Sequence, residues 1–330
     1  MTEANARIEI SALIHYQPAW LSWVGATTMC LQALEVDCDA ADVAGYSGYA
    51  FALAINDPLC PSGPSSVDWT SLDIGPLQLG RSTLNFLTGD CHTAKTRCQR
   101  TSAHCRHAFE IVRREVGANR PCVIWGAGLP EFGVVRGVEG EDYLCVEGGP
   151  TPARVRFDEL NAPGGPYILA FPTEVKVDRG RDLAALVRAV DRLSKRDEGP
   201  GQKRGLSAYD AWAETLQAKR ALRLGNSYNA QCWAEARGYA ERFLGRLAQR
   251  YPTAVRIALA RDAFAEVAAL LRAVADLFPF TTEEGLVEDR QVLEPACEHL
   301  RQAREAEARG LARLEEALAA FTQLAEQQSH

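Results

Sequence analysis

The sequence predicts an α+β protein of two domains, a mixed domain over residues 1–178 and an all-helical domain over residues 179–330. Before residue 178, glycine and proline are frequent and the apolar segments are short, which is typical of strands and turns. After it, apolar residues recur every three to four positions, which predicts helices. A chain of 330 residues with 47% hydrophobic content is large enough for two modest cores.

A β-hairpin is predicted over residues 121–147. An apolar run at 122–125 is broken by Gly126 and Gly128, a short polar insert ends at Glu131, and a second apolar run follows at 132–138. The other predicted strands of this half are residues 7–13, 143–146 and 167–171. A helix is expected from Ser22 to about residue 34, because Pro18 favours a turn before it and apolar residues then recur at helical spacing.

In the second half, a polar linker is predicted at residues 195–203, between the first two helices. The last helix is amphipathic, so it is expected to pack on its own domain, with a homodimer contact as the second possibility. The predicted helices are residues 182–193, 206–217, 229–251, 253–277 and 293–324.

Composition excludes several classes of function. The formal net charge is −7 and no basic block is present, which argues against nucleic-acid binding. No run of 18 apolar residues and no signal peptide is found, so a soluble, cytoplasmic protein without a membrane partner is expected. The ten cysteines are spread along the chain and are expected to be reduced thiols.

One segment concentrates residue types that bind metals, namely Cys91, His92, Cys98, His104, Cys105 and His107. The three cysteines are seven residues apart, which on a helix is a rise of about 10.5 Å at ~1.5 Å per residue. Zinc ligands must lie ~2.0–2.3 Å from one ion. We therefore expect a helix face packed on a core, with no metal and no cofactor.

Several segments together resemble a known family. Gln17 precedes the helix that starts at Ser22, residues 42–51 read DVAGYSGYAF, residues 60–64 read CPSGP, and the hairpin follows. Segments 205–212 and 225–237 look like parts of uncharacterised bacterial proteins of the same architecture. The N-terminal half resembles the family typified by the N-terminal half of the butirosin-biosynthesis acyltransferase, which is itself similar to papain-like peptidases of bacteriocin-exporting transporters. The resemblance implies a papain-like domain, in which an N-terminal helix packs on an antiparallel sheet.

The resemblance also implies where a catalytic set would lie. Such enzymes place a glutamine about five or six residues before a nucleophilic cysteine, and the glutamine amide helps to hold the oxyanion. Gln17 fits that role, but the nucleophile position then falls on Ser22 or Trp23. Glu131 stands where these folds usually carry the histidine, and it could act as a base only if burial raised its pKa.

Three residues are candidates for a replaced nucleophile. Ser22 could attack, although capping of the helix is the alternative. Cys30 could react if the helix began later and placed it in the first turn, whereas its position on the apolar stripe favours a buried structural thiol. Cys60 lies in a loop that could border a cleft, and the alternative is a turn residue packed beneath that loop.

A second set of residues is a candidate for substrate binding. Asn229, Trp233 and Arg237 share one helix face, and they could clamp a ligand or, as we slightly favour, fix this helix to the papain-like domain with Arg237 paired to an acid. The remaining candidates for ligand contacts are Trp23, Tyr49 and Glu147.

Two hypotheses follow. The first is a small-molecule-tailoring enzyme that performs acyl transfer or amide hydrolysis with a relocated cysteine, on a small-molecule or acyl-carrier substrate. The second is a papain-like pseudoenzyme that binds a ligand or partner in a cleft between the domains, with Gln17 and Glu131 among its polar contacts. The first is preferred, because Gln17 and Glu131 together suggest that the cleft handles charge. Both require the helix after Gln17 to pack against the hairpin that carries Glu131.

Overall fold

The computed structural model describes residues 6–87, 101–149, 152–162, 165–195 and 201–328, with the backbone alone for residues 321–328. The chain forms two compact units. Unit 1 comprises Met1–Val43 and Asp73–Asp178, and unit 2 comprises Ala44–Leu72 and Arg179–His330. A boundary at residue 178 thus coincides with the expected one, whereas residues 44–72 belong to unit 2 and not to the N-terminal domain.

Unit 1 is built on an antiparallel sheet of seven strands in the described part of the chain. The sheet order is β3-β8-β4-β5-β6-β7, and β1 pairs with the far end of β5. The strands of the whole protein are β1 (Arg7–Glu9), β2 (Ala54–Asn56), β3 (Leu84–Leu87), β4 (Cys122–Trp125), β5 (Phe132–Glu139), β6 (Asp142–Cys145), β7 (Arg154–Arg156), β8 (Tyr167–Ala170) and β9 (Gln202–Arg204). The five strands expected from the sequence are present, while β2, β3, β7 and β9 were not foreseen.

The predicted hairpin is confirmed as β4 and β5. Its register pairs Cys122 with Val135 and Trp125 with Phe132, so the connecting loop runs from Gly126 to Glu131. β6 continues the sheet beyond β5, with a shift of register between Val135 and Gly137. Glu131 is therefore the last residue before β5 and is fixed by the start of the strand.

Nine α-helices are found in the described residues, and several begin or end within two residues of the expected positions. They are α1 (Ser22–Ala33), α2 (Ala40–Ser47), α3 (Ile74–Gln78), α4 (Ser102–Gly117), α5 (Arg181–Ser194), α6 (Leu206–Gln217), α7 (Arg223–Arg250), α8 (Val255–Leu277) and α9 (Arg290–Gln328).

The helices α1 and α4 cover opposite faces of the sheet in unit 1. Cys122, Ile124 and Ile168 point into a core shared with α4. Tyr167, the neighbour of Ile168 on β8, instead contacts Trp23 on α1. Because successive side chains of a strand point to opposite faces, α1 lies on the other side of the sheet, where it contacts β4 and β5. The expected packing of the first helix on the hairpin is confirmed.

Unit 2 is dominated by α7, α8 and α9, which pack along one another. The short strand β2 pairs antiparallel with β9, from Ala54 opposite Arg204 to Asn56 opposite Gln202. This pairing explains why residues 44–72 join the helical half. It also corrects the linker expected at residues 195–203, because its last two residues belong to strand β9. Residues 196–200 of that linker lie outside the described part. Over the described ranges, no helix is long and apolar enough to cross a membrane.

Candidate functional site

The candidate site lies where α1 begins. Ser22 is the first residue of α1, and its hydroxyl group donates a hydrogen bond to Glu131 Oε2 at 2.5 Å. The same hydroxyl oxygen accepts from the backbone N–H of Phe132 at 3.1 Å. Both side chains are half-buried. Ser22 thus joins α1 to the start of β5, and the two positions singled out by the family resemblance are in direct contact.

The hairpin loop holds Glu131 in place through its own backbone. The N–H of Gly126 donates to the Glu131 carbonyl at 3.0 Å, and the N–H of Glu131 donates to the Leu129 carbonyl at 2.8 Å. Gly126 has φ of +79°, and a Cβ atom there would lie 2.5 Å from the carbonyl oxygen of Asn161. Glycine is therefore required at 126, because any other residue would be strained and would clash with the segment that supports the loop.

Aromatic side chains support the pair from within unit 1. Phe132 packs between Trp125, at 4.6 Å between ring centroids, and Tyr167, at 5.4 Å. The Tyr167 hydroxyl accepts from Trp23 Nε1 at 3.3 Å and from Asn85 Nδ2 at 3.2 Å. Since Trp23 is only 1% exposed, its expected role in substrate binding is wrong: the indole belongs to the rigid support of the site.

The electrostatics of the pair follow from its position. The first turn of α1 has no acidic residue and no side-chain cap, so Glu131 supplies the negative charge that the positive end of a helix favours. The neutral hydroxyl group of Ser22 donates its proton to the carboxylate of Glu131 in a charge-assisted hydrogen bond. A carboxylate is a weak base toward a hydroxyl, so the arrangement does not by itself create the strong nucleophile that a thiol and an imidazole create.

Gln17 does not lie beside Ser22. Its side-chain amide donates to Gln32 Oε1 at 2.8 Å, and its backbone N–H points to Met29 Sδ at 3.4 Å. Gln32 is ten residues after Ser22 on α1, which corresponds to about 15 Å along the helix axis at ~1.5 Å per residue. The amide of Gln17 is thus used at the other end of the helix, and its expected oxyanion role stays a prediction that this arrangement does not support.

Cys30 is a structural thiol. It is fully buried, nine residues into a helix that starts at Ser22, so it is not in the first turn. Burial, with a smaller contribution from Cys122, raises the pKa of the Cys30 thiol well above its ordinary value. A thiol that is protonated and inaccessible is not a nucleophile, and the expectation that Cys30 could replace the missing cysteine is wrong.

Cys60 belongs to unit 2, in the loop after β2, and is partly exposed. Its sulfur accepts a hydrogen bond from the Ser62 hydroxyl at 3.1 Å. Its backbone is held on both sides, by its N–H to the Asn56 carbonyl at 2.9 Å and by Asn229 Nδ2 to its own carbonyl at 3.0 Å. Cys60 is thus a fixed and accessible thiol.

The other expected binding residues of unit 2 are buried. The Tyr49 hydroxyl donates to the Pro64 carbonyl at 2.8 Å. Asn229 and Trp233 are fully buried and bond to each other, from Trp233 Nε1 to Asn229 Oδ1 at 3.2 Å. A role for these three in substrate binding is wrong, because their polar atoms bond within the core and water does not reach them.

Arg237 is also fully buried, and it is paired with an acid, which was one of the two alternatives. It forms a two-pronged ion pair with Glu307, from Nε at 2.6 Å and from Nη2 at 2.7 Å. Its Nη1 donates to the carbonyl groups of Ala50, at 3.0 Å, and Ala52, at 2.6 Å. It therefore binds the 44–72 segment into unit 2 and is not a ligand clamp.

Glu147 is exposed in the bend after β6. The next two residues pack closely on Tyr16, because a Cβ atom on Gly149 would lie 2.3 Å from that ring. Glu147 remains an exposed acid of unit 1, with no observed role at the Ser22–Glu131 pair.

Among the described residues, no group of three or more histidine, cysteine or acidic side chains is arranged to hold a metal ion. Cys91, His92 and Cys98 lie outside the described part. Cys105 on α4 is buried in the core of unit 1, as expected for a packed helix face, and the His107 ring packs at a tilt against Phe86, with 5.0 Å between ring centroids.

Sequence reasoning missed two parts of the site, namely the backbone N–H of Phe132 and the hydrogen bonds that converge on Tyr167. The two glycines of the loop were the available signal for a sharp turn before Glu131, but no spacing rule brings Asn85 or Tyr167 to Trp23. No family model and no curated protein matches the chain.

Proposed function

We propose that unit 1 is a papain-like domain in which a hydroxyl and a carboxylate replace the reactive thiol and imidazole, and that it binds a small polar ligand at the start of α1. The observation that supports this most directly is the Ser22–Glu131 hydrogen bond of 2.5 Å, at the junction of the first helix and the hairpin. It keeps the ligand-binding role of the second hypothesis drawn from the sequence, but it places the ligand at the start of α1 in unit 1, whereas that hypothesis placed it in a cleft between the domains.

The first hypothesis requires a reactive cysteine, and the structure does not favour Cys30 as that nucleophile. Cys30 is buried, and its pKa is raised by that burial. Cys60, in a loop of unit 2, is partly exposed and stays a candidate thiol. The pair at the start of α1 contains no sulfur, so a thioester intermediate has no atom there on which to form.

The ligand class follows from the charge and shape of the pair. Glu131 is a half-buried carboxylate, so it favours a ligand with an ammonium group or several N–H or O–H donors. The adjoining Leu129 is 56% exposed and offers apolar contact beside that charge. Small amines and amino sugars combine donors with a carbon framework, and we propose them as the ligand class.

A second candidate function is acyl transfer or hydrolysis with Ser22 as the nucleophile. One observation favours it, because the Ser22 hydroxyl is within hydrogen-bond reach of an acceptor at the start of a helix, which is the geometry of a nucleophile and its base.

The two candidates differ in what Ser22 does. The intact protein is treated with a fluorophosphonate probe and assayed with p-nitrophenyl acetate, and is also titrated calorimetrically with a panel of small amines and amino sugars. We expect no labelling of Ser22 and no turnover. We expect saturable binding of at least one panel member that is lost in Glu131→Gln and retained in Glu147→Gln, the matched change of an exposed acid in the same unit.

Labelling at Ser22, together with ester turnover that disappears in Ser22→Ala, would replace the binding function with the acyl-transfer function. Absence of binding across the panel, or equal binding by Glu131→Gln and the intact protein, would overturn the proposed ligand class.

A further inference from the structure

A cavity of about 930 Å³ lies within unit 2, between α6 and the first turns of α9. The Cys297 thiol on α9 donates to the Ala213 carbonyl on α6 at 3.7 Å. Tyr209, earlier on α6, bonds to Glu307, later on α9, so the two helices run antiparallel. The cavity is thus built by two packed helices of one compact unit, and its volume is in the range of small-molecule sites.

The floor of this cavity is apolar and uncharged. Leu293 and Leu300 are buried, and they line the cavity together with Ala213 and Cys297. Burial raises the pKa of the Cys297 thiol, so this side chain is neutral at pH 7. The floor therefore favours apolar groups of a ligand, which displace water from it on binding.

The charged side chains on the α9 side of the cavity are paired with one another. Arg290 pairs with Glu294 at 4.0 Å. Arg301 pairs with Glu298 at 2.6 Å and with Glu305 at 2.5 Å. Both arginines of this side therefore already have an acid, and the surplus of the five residues is one negative charge.

The α6 side of the cavity carries two charges without a counter-charge. Its third charge, Asp210, is neutralised by Arg304 at 2.9 Å. Glu214 and Lys219 also line the cavity, and both are exposed. Over the ranges that the structure describes, neither of these two side chains takes part in an ion pair. The cavity thus presents one unpaired carboxylate and one unpaired ammonium group beside an apolar floor.

The two unpaired charges start about one helical turn apart. The Glu214 carbonyl accepts from the N–H of Ala218 at 2.9 Å, so the last turn of the helix is intact between them, and one turn is a rise of ~5.4 Å. Lys219 follows with φ of +55° and ends that turn. A ligand that meets both charges therefore needs an ammonium group and a carboxylate separated by several ångströms.

We propose that this cavity binds an apolar dipeptide, with its ammonium group at Glu214, its carboxylate at Lys219 and its side chains on the floor around Leu293 and Cys297. An extended dipeptide spans about 7 Å, at ~3.3–3.6 Å per residue, which matches two flexible side chains that start one turn apart. A free amino acid carries both charges on one carbon atom and has a single side chain to place on the floor. Both polar contacts are charge-assisted.

Alkylation of Cys297 tests the proposal in the intact protein. The reaction with iodoacetamide is followed by peptide mass spectrometry, with leucyl-leucine as the probe. A peptide that covers the thiol, at ten times its dissociation constant, should slow the reaction about tenfold, because only the free protein reacts. Cys60, a partly exposed thiol of the same unit that does not line the cavity, is the internal control and should react at an unchanged rate.

Modified peptides and variants test the two charges separately. N-acetyl-leucyl-leucine lacks the ammonium group and leucyl-leucinamide lacks the carboxylate, and each should bind about fivefold more weakly than leucyl-leucine. Glu214→Gln should weaken binding of leucyl-leucine by a similar factor and should bind the acetylated peptide as well as it binds the free one. Lys219→Gln should lose the preference over the amide in the same way. Glu284→Gln is the matched control, because Glu284 is an exposed acid of unit 2 outside the cavity.

The proposal is overturned if leucyl-leucine leaves the alkylation of Cys297 unchanged, if leucine or N-acetyl-leucyl-leucine protects this thiol equally well, or if Glu214→Gln and Glu284→Gln bind leucyl-leucine equally. Circular dichroism confirms that the variants are folded, and the modified peptides carry the test with the intact protein should a variant not fold. The readout is a thiol of unit 2, whereas the proposed function of unit 1 is read out at Glu131, so the two proposals succeed or fail separately.

Discussion

Two carboxylates in this protein each connect distant parts of the chain, and they differ in their exposure to water. Glu131 in unit 1 is half-buried and accepts a short hydrogen bond from Ser22. Glu307 in unit 2 is fully buried and accepts from Arg237 through both of its oxygens and from Tyr209 at 2.6 Å.

This difference in exposure shows which polar residues are available to bind a ligand. A buried charge must be fully satisfied within the protein, because an unpaired charge in the core costs several kcal/mol. The Arg237–Glu307 pair meets that demand with its own contacts and has no surface to offer. A half-buried carboxylate can exchange a partner for a ligand at little cost, so exposure, rather than residue type, separates the candidate site from the structural network.

The largest effect is expected at the buried pair. Glu307→Ala leaves the Arg237 guanidinium group in the core without its counter-ion, and we expect a loss of about 3–5 kcal/mol in the free energy of unfolding. Urea denaturation of both proteins measures it. Glu305→Ala, an exposed neighbour on α9 that pairs with Arg301, is the control and should change the free energy by less than about 0.5 kcal/mol. Equal losses in the two variants would show that the pair is not what stabilises unit 2.

The next effect concerns the thiols of the two units. Cys30 is fully buried and Cys60 is partly exposed, so alkylation of Cys30 requires a local opening that Cys60 does not need. We expect Cys60 to react with iodoacetamide about a hundredfold faster or more, as followed by peptide mass spectrometry under native conditions. In 6 M guanidinium chloride the two rates should converge. Comparable native rates would mean that α1 is not packed as described.

A smaller effect is expected at the Ser22–Glu131 pair. Ser22→Ala removes a half-exposed hydrogen bond to a charged group, and we expect a cost of about 1 kcal/mol in the free energy of unfolding. Ser11→Ala is the matched control, because Ser11 is an exposed serine of the same unit that bonds to Asn119. A cost well above that of Glu307→Ala would reverse the distinction between the two carboxylates.

The smallest effect is a dependence of stability on pH at Asp182. Burial alone would raise the pKa of Asp182, but hydrogen bonds from Arg250, Tyr46 and Tyr251 outweigh it and hold the pKa below its ordinary value. The carboxylate therefore stabilises the folded state above the unfolded pKa of about 3.9, and this contribution is lost as the pH falls through the lower folded pKa.

We expect the difference in unfolding free energy between the intact protein and Asp182→Asn to be constant from pH 7 to 5 and to shrink below about pH 4. A difference that grows on acidification would mean that Asp182 is not stabilised in its charged form.

Local pattern was enough to predict much of the secondary structure. The start of α1 at Ser22, the full extent of α6 and the hairpin of β4 and β5 all agree with the expected positions. Each depends on residues close in sequence, because helix periodicity, strand length and glycine turns act over short distances. The strands β2 and β9 were missed because each has only three residues and is stabilised by a partner far away in the chain.

The candidate site also depends on contacts between segments that are distant in sequence, which local pattern does not predict. The sequence marked Ser22 and Glu131 as altered positions. It also marked Gln17 as an oxyanion donor, and Cys30 and Arg237 as candidates for which a structural role was the favoured alternative. Ser22 and Glu131 are 109 residues apart and meet only because α1 packs on the hairpin. Gln17 is closer in sequence to Ser22, yet its amide bonds to Gln32 at the other end of the helix.

The sequence by itself determined the α+β composition, the first helix, the hairpin and the position of an acid, Glu131, at the end of the hairpin loop. The tertiary structure alone decided that residues 44–72 join unit 2, that Cys30 is inaccessible, and that Arg237 is neutralised by Glu307. The reason is that burial and hydrogen-bond partners depend on which distant segments pack together, and this packing fixes the chemistry of a side chain more strongly than its neighbours in sequence do.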